Sequence, residues 1–162
     1  MRRHAAVLVA VTSFLTVLLP AIASPSVAQA TAHTAASDWA FVQHELFDIP
    51  LAQFVQHRFT GDRWFDWSND GCSAPLLGST GRAYNFHHAC LRHDFGYRNL
   101  KRLEQRYGTG RTYWNATNRR RVDQQFLADM KSHCRTRALW LRPSCYLSAY
   151  TYYSAVRAVA GP

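Results

Sequence analysis

No apolar stretch of this sequence is long enough to cross a bilayer. The run from Ala5 to Leu19 is fifteen residues without a charge and stops at Pro20, short of the roughly 20 residues a transmembrane helix needs. Preceded by Met1-Arg2-Arg3-His4 and followed by the A-x-A pattern Ala28-Gln29-Ala30, it reads as a secretory signal peptide spanning residues 1–30. A cut after Ala21-Ile22-Ala23 fits the same pattern. Lysine is nearly absent, Lys101 and Lys131 being the only two among nineteen basic residues. No C-x-x-C occurs, which counts against a thiolate zinc site. No run of alternating β-branched residues appears, which counts against a sheet. With residues 1–30 removed, 31–162 is one domain by length, too short for a Rossmann or TIM-barrel enzyme.

What remains is basic and aromatic. The formal charge of +9 falls to +7 when Arg2 and Arg3 leave, and arginine dominates it. Guanidinium forks suit phosphate and carboxylate, so the charge fits anionic lipid or nucleic acid without choosing between them. Five Trp, eight Tyr and nine Phe are enough to fill a core. Cys72, Cys90, Cys134 and Cys145 make an even set for an exported chain, with three possible pairings. The sequential one, Cys72–Cys90 with Cys134–Cys145, is favoured.

Helical periodicity accounts for most of the apolar positions. Trp39, Val42, Leu46, Phe47, Leu51, Phe54 and Val55 predict a bent helix or two short ones around Pro50. A second helix is predicted from about Asn85 past Lys101. A third runs from Arg119, capped by Asn118, to about His133 on the stripe Val122, Phe126, Met130. A fourth follows Pro143, capped by Ser144. The stretch from Ala74 to Ala83 reads as irregular. The expected fold class is mainly α, held by disulfides.

The chemistry concentrates in Cys90-Leu-Arg-His93-Asp94-Phe-Gly-Tyr97-Arg-Asn99. Cys90 and Asp94 are i and i+4 on one helix face. If Cys72 pairs with Cys90, the bridge carries Asp70 and the Gly71 carbonyl to Asp94, a hard-oxygen set that suits calcium, with magnesium the stricter alternative. His93 lies next around the helix. Asp123 sits on the apolar side of the third helix, where a carboxylate needs a partner. A His–Asp pair fixes the tautomer and frees one ring nitrogen as a base, and with no Ser or Cys placed as nucleophile, water takes that role. Each residue also has a plainer reading. His93 could be a hydrogen-bonded core histidine, Asp70 a turn residue, Asp94 a solvated partner of Arg98, and Asp123 a partner of Arg119 or Arg120. His87, His88 and His133 make only a weak zinc set. Arg119-Arg120-Arg121 reads as a solvated helix start, and Tyr113 and Trp114 either touch lipid or cover the core edge.

The segments Phe65-Asp-Trp-Ser-Asn-Asp-Gly-Cys72, Ala89 to Asn99, Arg121 to Lys131 and Tyr150 to Val156 resemble the small secreted phospholipases A2 of bacteria and fungi. The resemblance runs from about Asp38 to Val159 and is strongest around His93. It implies a small disulfide-linked helical fold with two antiparallel catalytic helices, and calcium-dependent hydrolysis of the sn-2 ester of glycerophospholipids. It implies His93 as general base, Asp123 as its orienting carboxylate, and Tyr97 supporting that carboxylate. Asp70, the Gly71 carbonyl and Asp94 would hold Ca²⁺. It further implies a secreted, extracellular monomer acting peripherally on a membrane or micelle surface, with no nucleic acid partner. Gly71, where the family pattern leads one to expect a larger apolar residue, and a longer segment from Leu103 to Asn118 are the departures. The rivals are a secreted cationic membrane-binding protein without turnover and, less favoured, a small nuclease.

Overall fold

The computed structural model describes residues 32–71 and 84–159. The signal-peptide expectation, the irregular stretch 74–83 and Cys72 lie outside the described residues. Among the described residues the architecture is helical, without a strand. Its helices are α1 (Ala35–Gln43), α2 (Leu51–Thr60), α3 (His87–Tyr107), α4 (Ala116–Arg135) and α5 (Arg142–Val159). None of these is long and apolar enough to cross a membrane.

Thr34 starts α1 through a capping box, its hydroxyl accepting the Ser37 N–H while the Ser37 hydroxyl accepts the Thr34 N–H. α1 runs into a π-helical turn, His44–Asp48, and stops before Pro50. Ile49 is extended, as the residue before a proline prefers, so the carbonyls behind it lose their helical donors. Arg92, buried on α3, replaces them by donating from Nη1 to the Leu46 and Ile49 carbonyls at 3.1 and 3.0 Å. The bend that Pro50 predicts is thus two helices and a wider turn, held from below by a guanidinium.

α3 is buried on both faces. On one side Leu91, Phe95, Leu100 and Leu103 pack with Val42, Leu46 and Phe54 of the first two helices. On the other Ala89 and Cys90 pack with Phe126 and Met130 of α4 and Ala149 and Tyr152 of α5. α3 and α4 run antiparallel, since Phe86 meets the His133 ring at one end and His93 meets Asp123 further along. Gly96 permits their close approach. A Cβ there would lie 2.8 Å from Val122 Cγ1 and 2.9 Å from Leu46 Cδ2.

α4 begins three residues earlier than the apolar stripe predicts. Its N-cap is Asn115, whose side chain accepts the Asn118 N–H at 2.9 Å, so Asn118 is inside the helix. α5 begins at Arg142, after a 3₁₀ turn at Leu139–Leu141, and Ser144 bonds back to the Leu141 carbonyl instead of capping. Cys134–Cys145 ties the end of α4 to the start of α5. Cys90 is disulfide-bonded as well, and its expected partner, Cys72, is outside the described residues.

Candidate active site

The antiparallel register of α3 and α4 sets His93 against Asp123. His93 is 9 % exposed and Asp123 fully buried, and Nε2 stands 2.9 Å from Asp123 Oδ1. The ring lies between Tyr97, at 4.3 Å, and Phe126, at 4.7 Å between centroids. Those aromatic neighbours fix the plane of the imidazole.

Asp123 is satisfied on both oxygens. The Tyr97 hydroxyl donates to Oδ1 at 2.7 Å, and Arg157 Nη1, from the last turn of α5, donates to Oδ2 at 2.8 Å. Arg119 sits 3.8 Å from the same oxygen. Its Nε donates to the Tyr97 hydroxyl, and its Nη2 donates to the Val156 and Arg157 carbonyls at the end of α5. Burial alone would raise the Asp123 pKa, but the hydrogen bonds from His93, Arg157 and Tyr97 outweigh it and hold the carboxyl below its ordinary value. Burial and the bond to Asp123 push the Tyr97 phenol well above its own, so it stays a donor. An ionised Asp123 can only accept. The His93 Nε2 therefore carries a proton toward Asp123, and in the neutral form of the ring the lone pair is on Nδ1. An imidazole held this way can take a proton at Nδ1.

The arginine run at the start of α4 is not a uniformly solvated patch. Arg119 is buried in the bonds just described. Arg120 and Arg121 are exposed, although the Arg121 guanidinium lies over the Phe47 ring at 4.4 Å. Of the two partners weighed for Asp123, Arg119 is the one beside it. Arg157 has no signal in the sequence beyond its place near the end of the fourth predicted helix.

The calcium candidates lie on the neighbouring face. The Asp70 N–H donates to Asp94 Oδ2 at 3.0 Å, latching the loop that follows α2 onto α3. Gly71 follows at φ +69°, a left-handed conformation suited to glycine. A Cβ there would meet only the His87 ring, near 3.9 Å. Burial, and then the Asp70 charge, raise the Asp94 pKa despite the Asp70 N–H. The Asp70 carboxylate reaches Arg98 at 3.7 Å. Among the described residues no group of three or more His, Cys, Asp and Glu side chains is gathered for a metal. The oxygens at hand are those of two neighbouring carboxylates, Asp70 and Asp94. All are hard oxygens, and the partly desolvated Asp94 is a charge that a cation would relieve, so the residues present fit calcium.

A cavity of about 420 Å³ opens beside Asp94, lined by Asp66, Asp70, Tyr97, Arg98, Lys101 and Arg102 among others. His93 is not part of that lining. Arg102 is anchored to Asp66 at 3.2 Å, and Lys101 lies over the Trp114 ring at 4.8 Å. Trp114 does not project into solvent. It is half-buried and packs edge-on to Tyr97 at 5.1 Å, which decides for the core-edge reading of this residue. Glu104 holds its loop, accepting the N–H groups of Gly110, Tyr113 and Trp114. The zinc set is not gathered either. The His87 and His88 rings are 6.0 Å apart, and His133 instead faces Phe86 and Arg137.

The chain is similar over most of its length to known proteins. A secretory phospholipase A2 of Beauveria bassiana (strain ARSEF 2860) is 36 % identical over 117 residues, 72 % of this chain. The chain spans about half of that protein, 55 % of its length. A secretory phospholipase A2 of Arthroderma benhamiae (strain ATCC MYA-4681 / CBS 112371) is 34 % identical over 148 residues, 88 % of this chain and 93 % of that protein. The family described as prokaryotic phospholipase A2 matches residues 42–160. On that match, which covers most of the sequence, the chain belongs to the prokaryotic phospholipase A2 family.

Proposed function

We propose that this protein is a secreted phospholipase A2 that hydrolyses the sn-2 ester of glycerophospholipids to a lysophospholipid and a fatty acid, with calcium as cofactor. The observation that carries the reading is the buried His93–Asp123 bond at 2.9 Å, one residue along the helix from the carboxylate of Asp94.

His93 Nδ1 takes a proton from a water molecule as that water attacks the ester carbonyl. Asp123 holds the ring and stabilises the imidazolium that forms, and Tyr97 and Arg157 hold Asp123. The tetrahedral centre then expels the lysophospholipid oxygen, which recovers the proton from His93, while the acyl group leaves as the fatty acid. Phe126 and Tyr97 keep the imidazole in an apolar slot through both transfers. Asp70, Asp94 and the Gly71 carbonyl are the residues that would hold calcium. When bound, it would supply Lewis-acid polarisation of the ester carbonyl and a positive counter-charge for the phosphate.

Incubating the protein with phosphatidylcholine vesicles and, separately, with RNA, each with calcium and with a chelator, tests this reading. Calcium-dependent release of sn-2 fatty acid with intact RNA is the expected result. Vesicle binding without any product would favour a cationic membrane-binding protein, and RNA cleavage would favour a nuclease.

A further inference from the structure

Far along the bundle from His93, the connection between α4 and α5 presents apolar side chains to water. Leu139 is 72 % exposed, Trp140 80 % and Leu141 41 %. Burying a tryptophan and two leucines would be strongly favourable, yet all three stand in water. The turn is not a loose end. Cys134–Cys145 closes it from beneath, the Leu141 N–H bonds the Ala138 carbonyl, and Arg142 Nε bonds the Arg137 carbonyl at 3.0 Å. The Tyr84 hydroxyl adds a bond to the Leu141 carbonyl. A rigid turn therefore holds the indole out. Leu147, 70 % exposed, and Tyr150, three residues on, continue an exposed apolar stripe along α5.

The charge around this turn has one sign. From Met130 to Pro162 the sequence contains no Asp or Glu, while Lys131, Arg135, Arg137 and Arg142, on either side of the turn, are all cationic. Arg135 and Arg137 are exposed beside the turn, and Lys131 lies 5.8 Å from the Tyr150 ring. An apolar wedge ringed by cations complements a surface that is apolar inside and anionic outside.

We propose that the Leu139–Leu141 turn is the docking surface of this protein on an anionic lipid bilayer, with Trp140 inserted as its anchor and Arg135 and Arg137 at the head-group level. The choice of lipid as occupant rests on the phospholipase reading, and the placement rests on exposure and charge. The turn sits at the end of the bundle where α4 finishes, away from the cavity beside Asp94. It would set how tightly the enzyme stays on a vesicle, without touching the reacting ester.

Sedimentation of the full chain with vesicles, in chelator so that hydrolysis plays no part, tests the proposal. Vesicles of phosphatidylcholine alone and of phosphatidylcholine with phosphatidylglycerol are the two arms. Wild type partitions onto the anionic vesicles, and binding falls as salt rises. Trp140→Ala and the double variant Leu139→Ser/Trp140→Ser lower that partition by about tenfold or more. Arg135→Gln/Arg137→Gln lowers it on the anionic vesicles only. Circular dichroism confirms that each variant folds, and each retains wild-type turnover of a dispersed short-chain phospholipid. Partition unchanged by the Trp140 substitutions overturns the proposal, as does a wild-type dimer that Trp140→Ala dissolves while vesicle binding persists. A protein that binds through Trp140 but releases no fatty acid keeps the docking surface and defeats the phospholipase reading, so the two failures are distinct.

Discussion

Arg157 Nη1 donates to Asp123 Oδ2 at 2.8 Å, so the last turn of α5 is tied to the carboxylate that faces His93. This couples the end of the chain to the centre of the proposed site. Arg157→Gln should lower kcat about tenfold with little change in KM, and Arg157→Lys should recover part of it, a charge-assisted bond being worth about 1.5–3 kcal/mol. Stability should respond to pH in a defined direction. A carboxyl held below its ordinary 3.8 stabilises the fold above that value and loses the contribution as pH falls through the lowered one. The stability gap between wild type and Arg157→Gln should therefore be constant near neutrality and narrow in acid. A denaturant series across pH measures it.

Asp129 contributes with the opposite sign. Burial raises its pKa to about 6, outweighing the attraction of Arg92, which lies 3.2 Å away and is itself buried. A raised carboxyl favours the fold below the ordinary value, and that contribution is lost as pH rises through about 6. Asp129→Asn should thus gain on wild type by about 2–3 kcal/mol between pH 4 and 7, a tenfold change in proton affinity being worth about 1.4 kcal/mol. Urea midpoints at both pH values check it, and parallel pH curves would contradict it.

Gly96 sits where α3, α4 and the π-helical turn converge. Gly96→Ala should cost about 1–3 kcal/mol through overpacking against Val122 and Leu46. Because the same contact sets the distance from His93 to Asp123, activity should fall by more than the fraction unfolded. Melting curves and initial rates on one preparation separate the two effects.

Calcium should raise the melting temperature of wild type, since a ligand that binds the native state stabilises it by mass action. Asp94→Asn should abolish that rise while leaving the metal-free melt nearly unchanged or higher, because burial already disfavours the Asp94 charge. Equal calcium stabilisation of both proteins would remove Asp94 from the ligand set.

The positions of α3 and α4 are legible because their apolar residues repeat at helical spacing, and Asp123 stands out as a carboxylate on an apolar stripe. The first turn of α4 is not legible. Its stripe starts at Val122, while the cap is made by Asn115, one of two asparagines three residues apart. The π-helical turn has no marker except Pro50, which forecasts a break but not its geometry. Arg157 escapes because a helix-terminal arginine reads as solvated until the tertiary fold brings it to a buried carboxylate. Two tryptophans in short connections look alike in sequence, yet Trp114 packs on Tyr97 and Trp140 stands in solvent. Only the path of the backbone distinguishes them.

The central claim is that His93 is the base that activates water. Release of labelled fatty acid from the sn-2 position of phosphatidylcholine, compared between wild type and His93→Asn in saturating calcium, tests it most directly. Loss of general-base catalysis should lower the rate by about 10²–10⁴-fold, with wild-type melting and vesicle binding retained. A folded His93→Asn protein that releases sn-2 fatty acid at the wild-type rate would contradict the account.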